Sequence, residues 1–154
     1  MEEILRLAEK NNLKTFLAAS SRGLSTWEET SQAIIKRFPA LKIGGTNLNK
    51  DITGSRLRVT DYEIVFANFG APYQEKFLNS LKSAKNSKMR LVMGVGGSFD
   101  YLTGKIRRAP VFTRKIGLEW LWRLIQQPRR IKRIWNAVII FPIKIIFQKR
   151  NEQN

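Results

Sequence analysis

Apolar and polar positions alternate along this chain in a way that predicts strands and helices in turn. Glu2 to Asn11 carries Ile4, Leu5, Leu7 and Ala8 on one face at helical spacing. Lys14 to Ser20 is a short apolar run ending in small residues, which reads as a strand, and Ser21-Arg22-Gly23 reads as a turn. Ser25 stands three residues before Glu28, the spacing of a capping box, and opens a predicted helix that runs to Arg37 before Pro39. Leu41 to Gly44 is a second short strand, and Gly45 to Arg58 reads as a polar loop with room for a short helix. Tyr62 to Asn68 is apolar enough for a central strand of a parallel sheet. Gly70-Ala71-Pro72 turns into a helix over Gln74 to Lys82, with Pro72 suited to a first helical position. Lys88 to Gly94 is the fourth strand.

After Gly104 the alternation stops. Leu118, Leu121, Trp122 and Ile125 form an apolar helical stripe that Pro128 ends, and a further helix starts at Arg129. The apolar run Ile134 to Phe147 is shorter than the roughly 18–20 residues that span a bilayer. The expected fold is therefore α/β: a Rossmann-like parallel sheet of about four strands with right-handed crossovers, followed by a helical basic tail. The expected division is 1–116 for the α/β part and 117–154 for the tail.

Charge sharpens that division. The chain of 154 residues carries net +16, of which +5 lies in residues 1–100 and +11 in residues 101–154. Such an end suits a polyanion or an anionic surface, although a solvated helix face has the same look. Arg129, Arg130, Lys132 and Arg133, before the apolar run, suit a segment lying among anionic lipid headgroups. The aromatics are not interleaved with the basic residues as a nucleic-acid stacking platform needs, so nucleic acid is not expected as a partner. Cysteine and histidine are absent, which removes disulfides, thiolate chemistry and the commonest metal ligand; no metal site is expected. Met1-Glu2-Glu3 is acidic where a secretory leader would be basic.

Candidate chemistry gathers where strands end. Gln74 and Glu75 follow a strand and a turn at a helix start, where an amide can hold a sugar hydroxyl or a phosphate oxygen. The same position suits a plain helix cap. Gly94, Gly96 and Gly97 follow the fourth strand and allow close backbone approach to a ligand such as a diphosphate. They do not form the GxGxxG pattern that opens a helix, so no dinucleotide cofactor is inferred. Asp100 suits either a ribose or sugar hydroxyl or a turn. Arg107, Arg108, Arg114, Arg123, Arg129 and Arg130 can pair with phosphate in a forked geometry, or serve only solubility.

Two blocks carry a resemblance. Gly70-Ala71-Pro72-Tyr73-Gln74-Glu75-Lys76 is one. The other runs through Gly94-Val95-Gly96-Gly97-Ser98-Phe99-Asp100, Gly104-Lys105, Arg108-Ala109-Pro110, Gly117-Leu118-Glu119-Trp120-Leu121, Arg123-Leu124 and Pro128-Arg129-Arg130. In order and spacing they resemble the C-terminal part of the WecG/TagA/CpsF family of bacterial glycosyltransferases, over roughly residues 12–133. The resemblance implies transfer of an N-acetylmannosamine-type sugar, with inversion, from a UDP donor to a polyprenyl-linked acceptor in cell-surface polysaccharide synthesis, without a redox cofactor. It implies donor contacts from Gln74, Glu75, Gly94, Gly96, Gly97, Asp100, Arg108 and Arg123. It also implies work at the inner face of the cell membrane, with the protein peripheral to it. The family attributes the catalytic base to an aspartate in its N-terminal half, which has no counterpart here. A longer reading frame, a second chain carrying that half or a homo-oligomer is the partner expected on that ground. The rival reading is a non-catalytic basic module for a membrane surface or nucleic acid.

Overall fold

The computed structural model describes residues 1–49, 57, 59–81, 88–128 and 131. The chain divides into two compact units, Met1–Arg107 and one beginning at Arg108.

The first unit is α/β. Its elements are α1 (Glu2–Lys10), β1 (Thr15–Ser20), α2 (Trp27–Ile35), β2 (Ile43–Leu48), β3 (Ile64–Asn68), α3 (Tyr73–Leu81), β4 (Leu91–Gly94) and α4 (Ser98–Leu102). The strands form a parallel sheet in the order β2-β1-β3-β4. In register, Leu17 of β1 stands between Gly45 of β2 and Phe66 of β3.

Both faces of β1 and β3 are covered, and the pleat sorts their residues between two layers. Leu17, Ala19, Ile64 and Phe66 pack with Leu5 and Ala8 of α1, Ile34 of α2 and Phe99 of α4. Phe16, Ala18, Val65 and Ala67 pack with Phe77 and Leu81 of α3 and with Val59. Fully burying each large side chain contributes about 1.5–3 kcal/mol. This two-sided burial is why β1 and β3 read as unbroken apolar runs.

The topology follows from handedness. The β1–α2–β2 and β3–α3–β4 crossovers run in opposite directions across the sheet, so right-handed connections place α2 and α3 on opposite faces. The direction reverses between β1 and β3. In open sheets of this kind a ligand crevice lies at that reversal, outside the carboxyl ends of the strands.

Local details differ from expectation. Helix α2 is capped one residue later than the sequence spacing suggests. Thr26, not Ser25, accepts from the Glu29 backbone N–H, and Glu29, not Glu28, returns to the Thr26 N–H. Strand β2 does not end at Gly44 but runs on to Leu48, so Gly45 to Leu48 is strand and not loop. Its glycines are spaces for neighbours: the Tyr62 phenol covers Gly44 and the Trp27 ring covers Gly45. The glycine turn after β4 leads straight into α4, a short helix that sequence periodicity did not indicate.

The second unit contains α5 (Val111–Lys115) and α6 (Glu119–Gln126), joined through Gly117 at φ +75°. The Leu118 N–H donates to the Thr113 carbonyl across that turn. The apolar stripe expected on α6 is present, but Ile125 is 69% exposed and, on α5, Phe112 is 72% exposed. Arg129, Arg130, Lys132 and Arg133, and the expected helices beyond them, lie outside the described residues. Among the described residues no helix is long and apolar enough to cross a membrane.

Candidate functional site

The carboxyl edge of the sheet is assembled from the ends of β1, β2, β3 and β4. Each contributes polar groups because the next residues leave the sheet.

At the end of β3, Phe69 packs edge-on against Phe77 of α3 with ring centroids 5.1 Å apart. Gly70 turns at φ +76°, the Ala71–Pro72 peptide is cis, and α3 opens at Tyr73. Pro72 therefore precedes the helix and accepts from the Lys76 N–H at 3.2 Å. Gln74 sits in the first turn, its N–H bonded to the Gly70 carbonyl at 3.2 Å.

The Gln74 side chain lies over Gly94 at the end of β4. A Cβ on Gly94 would stand 2.8 Å from Gln74 Nε2 and 2.9 Å from Cδ. Gly94 is thus the space that the glutamine occupies. The Gln74 Nε2 donates to Glu75 Oε1 at 2.8 Å. Gln74 Oε1 is buried with no hydrogen-bond partner among the described residues. A buried acceptor left so costs about 1–3 kcal/mol, and groups of this kind concentrate at functional sites.

Beyond Gly94, Val95 N–H still pairs with Ala67 of β3 at 2.9 Å. Gly96 then turns at φ +55°, with open space where a side chain would project. Ser98 closes the turn by donating from Oγ to the Val95 carbonyl at 2.7 Å. Gly97 has an ordinary negative φ.

Asp100 is buried in α4, 5% exposed. Its Oδ1 accepts from Ser25 Oγ at 2.9 Å, and Ser25 Oγ also meets Thr103 Oγ1 at 2.8 Å. The carboxylate therefore ties α4 to the loop between β1 and α2. Lys105 adds a second tie, reaching the Leu24 carbonyl and the Glu29 carboxylate. The Lys105 ammonium, then the Thr26 backbone N–H, hold the Glu29 carboxyl below its ordinary range. At Glu28 burial pushes the carboxyl up, but hydrogen bonds led by the Asn47 amide outweigh it and lower it.

Several edge residues were not singled out in the sequence. Ser21 Oγ donates to Asn49 Oδ1, joining the ends of β1 and β2. Asn47 accepts from the Trp27 N–H at 3.0 Å and donates to Glu28 at 2.8 Å, fixing the start of α2. Ser20, Ser21 and Arg22 leave β1 at the reversal point, with Asn68 opposite Ala19 at the end of β3. The signal was hidden because Gly45 to Asn49 reads as loop, so no strand end was expected there.

Of the expected site residues, the fold brings Gln74, Glu75 and Gly94 together, and Gly96, Gly97 and Asp100 follow in the same turn and helix. Arg108 is exposed before α5, and Arg123 lies on α6; both belong to the second unit. Among the described residues no group of histidine, cysteine, aspartate and glutamate can hold a metal ion. The arrangement offers hydroxyls, amides and turn N–H groups beside a buried acceptor, which is equipment for holding a polar ligand.

The model of the glycosyl transferase WecG/TagA/CpsF family matches residues 1–154, wider than the span legible from the motifs. An N-acetylglucosaminyldiphosphoundecaprenol N-acetyl-beta-D-mannosaminyltransferase of Staphylococcus aureus strain MRSA252 is 30% identical over 154 residues, covering 97% of this chain and 59% of that protein. Proteins of the same name from strains MW2 and NCTC 8325 / PS 47 are 29% identical with the same coverage. The chain thus spans about three-fifths of the length of the relatives it matches.

Proposed function

This chain belongs to the WecG/TagA/CpsF family of glycosyltransferases, and from that premise we propose that it forms the donor-binding part of an enzyme of cell-surface polysaccharide synthesis. The reaction moves an N-acetylmannosamine-type sugar from a UDP donor to a polyprenyl-diphosphate-linked acceptor. The observation that carries the reading is the contact of Gln74 with Gly94, which joins the two family motifs at the carboxyl edge of a parallel sheet. The similar proteins, named as transferases acting on a diphosphoundecaprenol acceptor, support the substrate class.

In this reading the acceptor hydroxyl attacks the anomeric carbon as the bond to the UDP β-phosphate oxygen breaks. UDP leaves with the electron pair, and a base takes the hydroxyl proton. Gln74 and the turn Gly94–Asp100 hold the donor, while Arg108 and Arg123 neutralise the diphosphate. The family places the base in a part of its length that this chain does not match. The working enzyme therefore needs that part, on the same or another chain. The basic residues Arg129, Arg130, Lys132 and Arg133 attach the protein to the inner face of the membrane that anchors the acceptor.

The test is UDP release from a UDP-linked N-acetylmannosamine donor and a lipid-linked acceptor, with the family's N-terminal part supplied. Release that requires both parts, and that Gln74→Ala lowers by at least about tenfold, supports the reading. No release with any lipid-linked acceptor defeats it.

A further inference from the structure

The Gln74 amide has two ends of opposite character, and only one has a partner among the described residues. Its Nε2 packs on Gly94 and donates to Glu75 Oε1 at 2.8 Å. Its Oε1 is buried and has no partner among the described residues. Turning the amide over would set Oε1 against the Glu75 carboxylate, acceptor against acceptor. The carboxylate therefore decides which end of the amide is left over, a choice that a glutamine alone does not make.

We propose that Glu75 is a positioning residue that fixes Gln74 as a hydrogen-bond acceptor, so that this position reads a donor group of the sugar and not the diphosphate. The proposal rests on the donor-binding reading above and deepens it. Phosphate oxygens only accept, and offer nothing to a carbonyl oxygen. A sugar hydroxyl or an acetamido N–H donates, and satisfies an acceptor that has no partner among the described residues. Gln74 then contributes to choice among sugars, and the diphosphate is left to turn N–H groups and arginines.

Two measurements on the full chain separate this proposal from the donor-binding reading. The first is the NMR signature of the Gln74 side-chain NH2, assigned by its loss in Gln74→Ala. A carboxylate partner shifts these signals away from those of the other glutamines and slows their hydrogen exchange. The signature is expected to persist in Glu75→Gln, whose carbonyl still accepts, and to vanish in Glu75→Ala. The second is the ratio of affinities for UDP-N-acetylmannosamine and UDP. With one hydrogen bond to the sugar, the parent and Glu75→Gln are expected to favour the nucleotide sugar by about tenfold. Glu75→Lys donates where the parent accepts, turns the amide over, and is expected to bring that ratio close to one.

An amide signature unmoved by Glu75→Ala, or a sugar preference that survives Glu75→Lys, overturns the proposal. If neither nucleotide binds the parent chain, the donor-binding reading falls, and the claim about Glu75 is then judged by the amide signature alone.

Discussion

Ser25 and Asp100, 75 positions apart in the chain, meet in a buried hydrogen bond of 2.9 Å. Ser25 is fully buried and Asp100 nearly so. The bond holds the loop after β1 against the helix after the glycine turn, so two segments of the sheet's carboxyl edge are fixed to each other. Replacing Ser25 by Ala leaves a buried carboxylate short of a donor. The expected loss is about 1–3 kcal/mol, read as a lower urea midpoint at unchanged slope. Ser25→Thr keeps the hydroxyl and is expected to lose less.

Gly94→Ala tests the meeting of the two motifs. The added methyl overlaps the end of the Gln74 side chain, which is flexible and can move aside. Stability is expected to fall by about 1 kcal/mol or less, while UDP-sugar binding falls as far as in Gln74→Ala. The double variant is expected to bind no worse than either single one, because both remove the same contact. Additive losses in a calorimetric titration would separate the two residues.

Gly45→Ala is expected to behave differently. There the methyl would stand 2.6 Å from the Leu17 backbone carbonyl and from the Trp27 ring. Backbone cannot swing away, so the strands must part. The expected cost is about 1–3 kcal/mol or more, measured by thermal unfolding, with Gly44→Ala milder because the Tyr62 side chain yields.

Glu29 gives a pH dependence with a definite sign. Its carboxyl is held below the ordinary value of 4.5, chiefly by Lys105. A depressed carboxyl contributes stability that is fully present above its unfolded value and is lost as pH falls through the lower folded value. Lys105→Met is therefore expected to be less stable than the parent near neutral pH. The difference should close as the solution is acidified well below 4.5, as followed by urea unfolding across that range. A gap that stays constant into acid would mean that Lys105 acts through packing and its bond to the Leu24 carbonyl and not through Glu29.

Much of the fold was legible because its cause is local. The runs Thr15–Ser20 and Ile64–Asn68 are apolar on both faces, and that pattern belongs to strands inside a parallel sheet. The misread details have causes far away in the chain. Ser25 looks like the helix cap, but its hydroxyl is taken by Asp100 and Thr103, and the cap passes to Thr26. Gly44 and Gly45 look like a loop, but Tyr62 and Trp27 fill the space above them and keep them in the strand. The two motifs at Gln74 and Gly94 were both visible, yet their contact follows only from β4 pairing beside β3. Ser21 and Asn49 carry no local signal, since their role arises where two strands end side by side.

The central claim is that the carboxyl edge of this sheet is a nucleotide-sugar site. Its most direct test is a titration of the full 15N-labelled chain with UDP-N-acetylmannosamine, followed by backbone amide shifts. The account predicts that the shifted amides cluster at Ser20–Gly23, Asn68–Gln74 and Gly94–Asp100. Shifts gathered instead around Lys14, Lys42, Asp61 and Tyr62, which line a cavity at the amino edge, or no shifts at all, would contradict it.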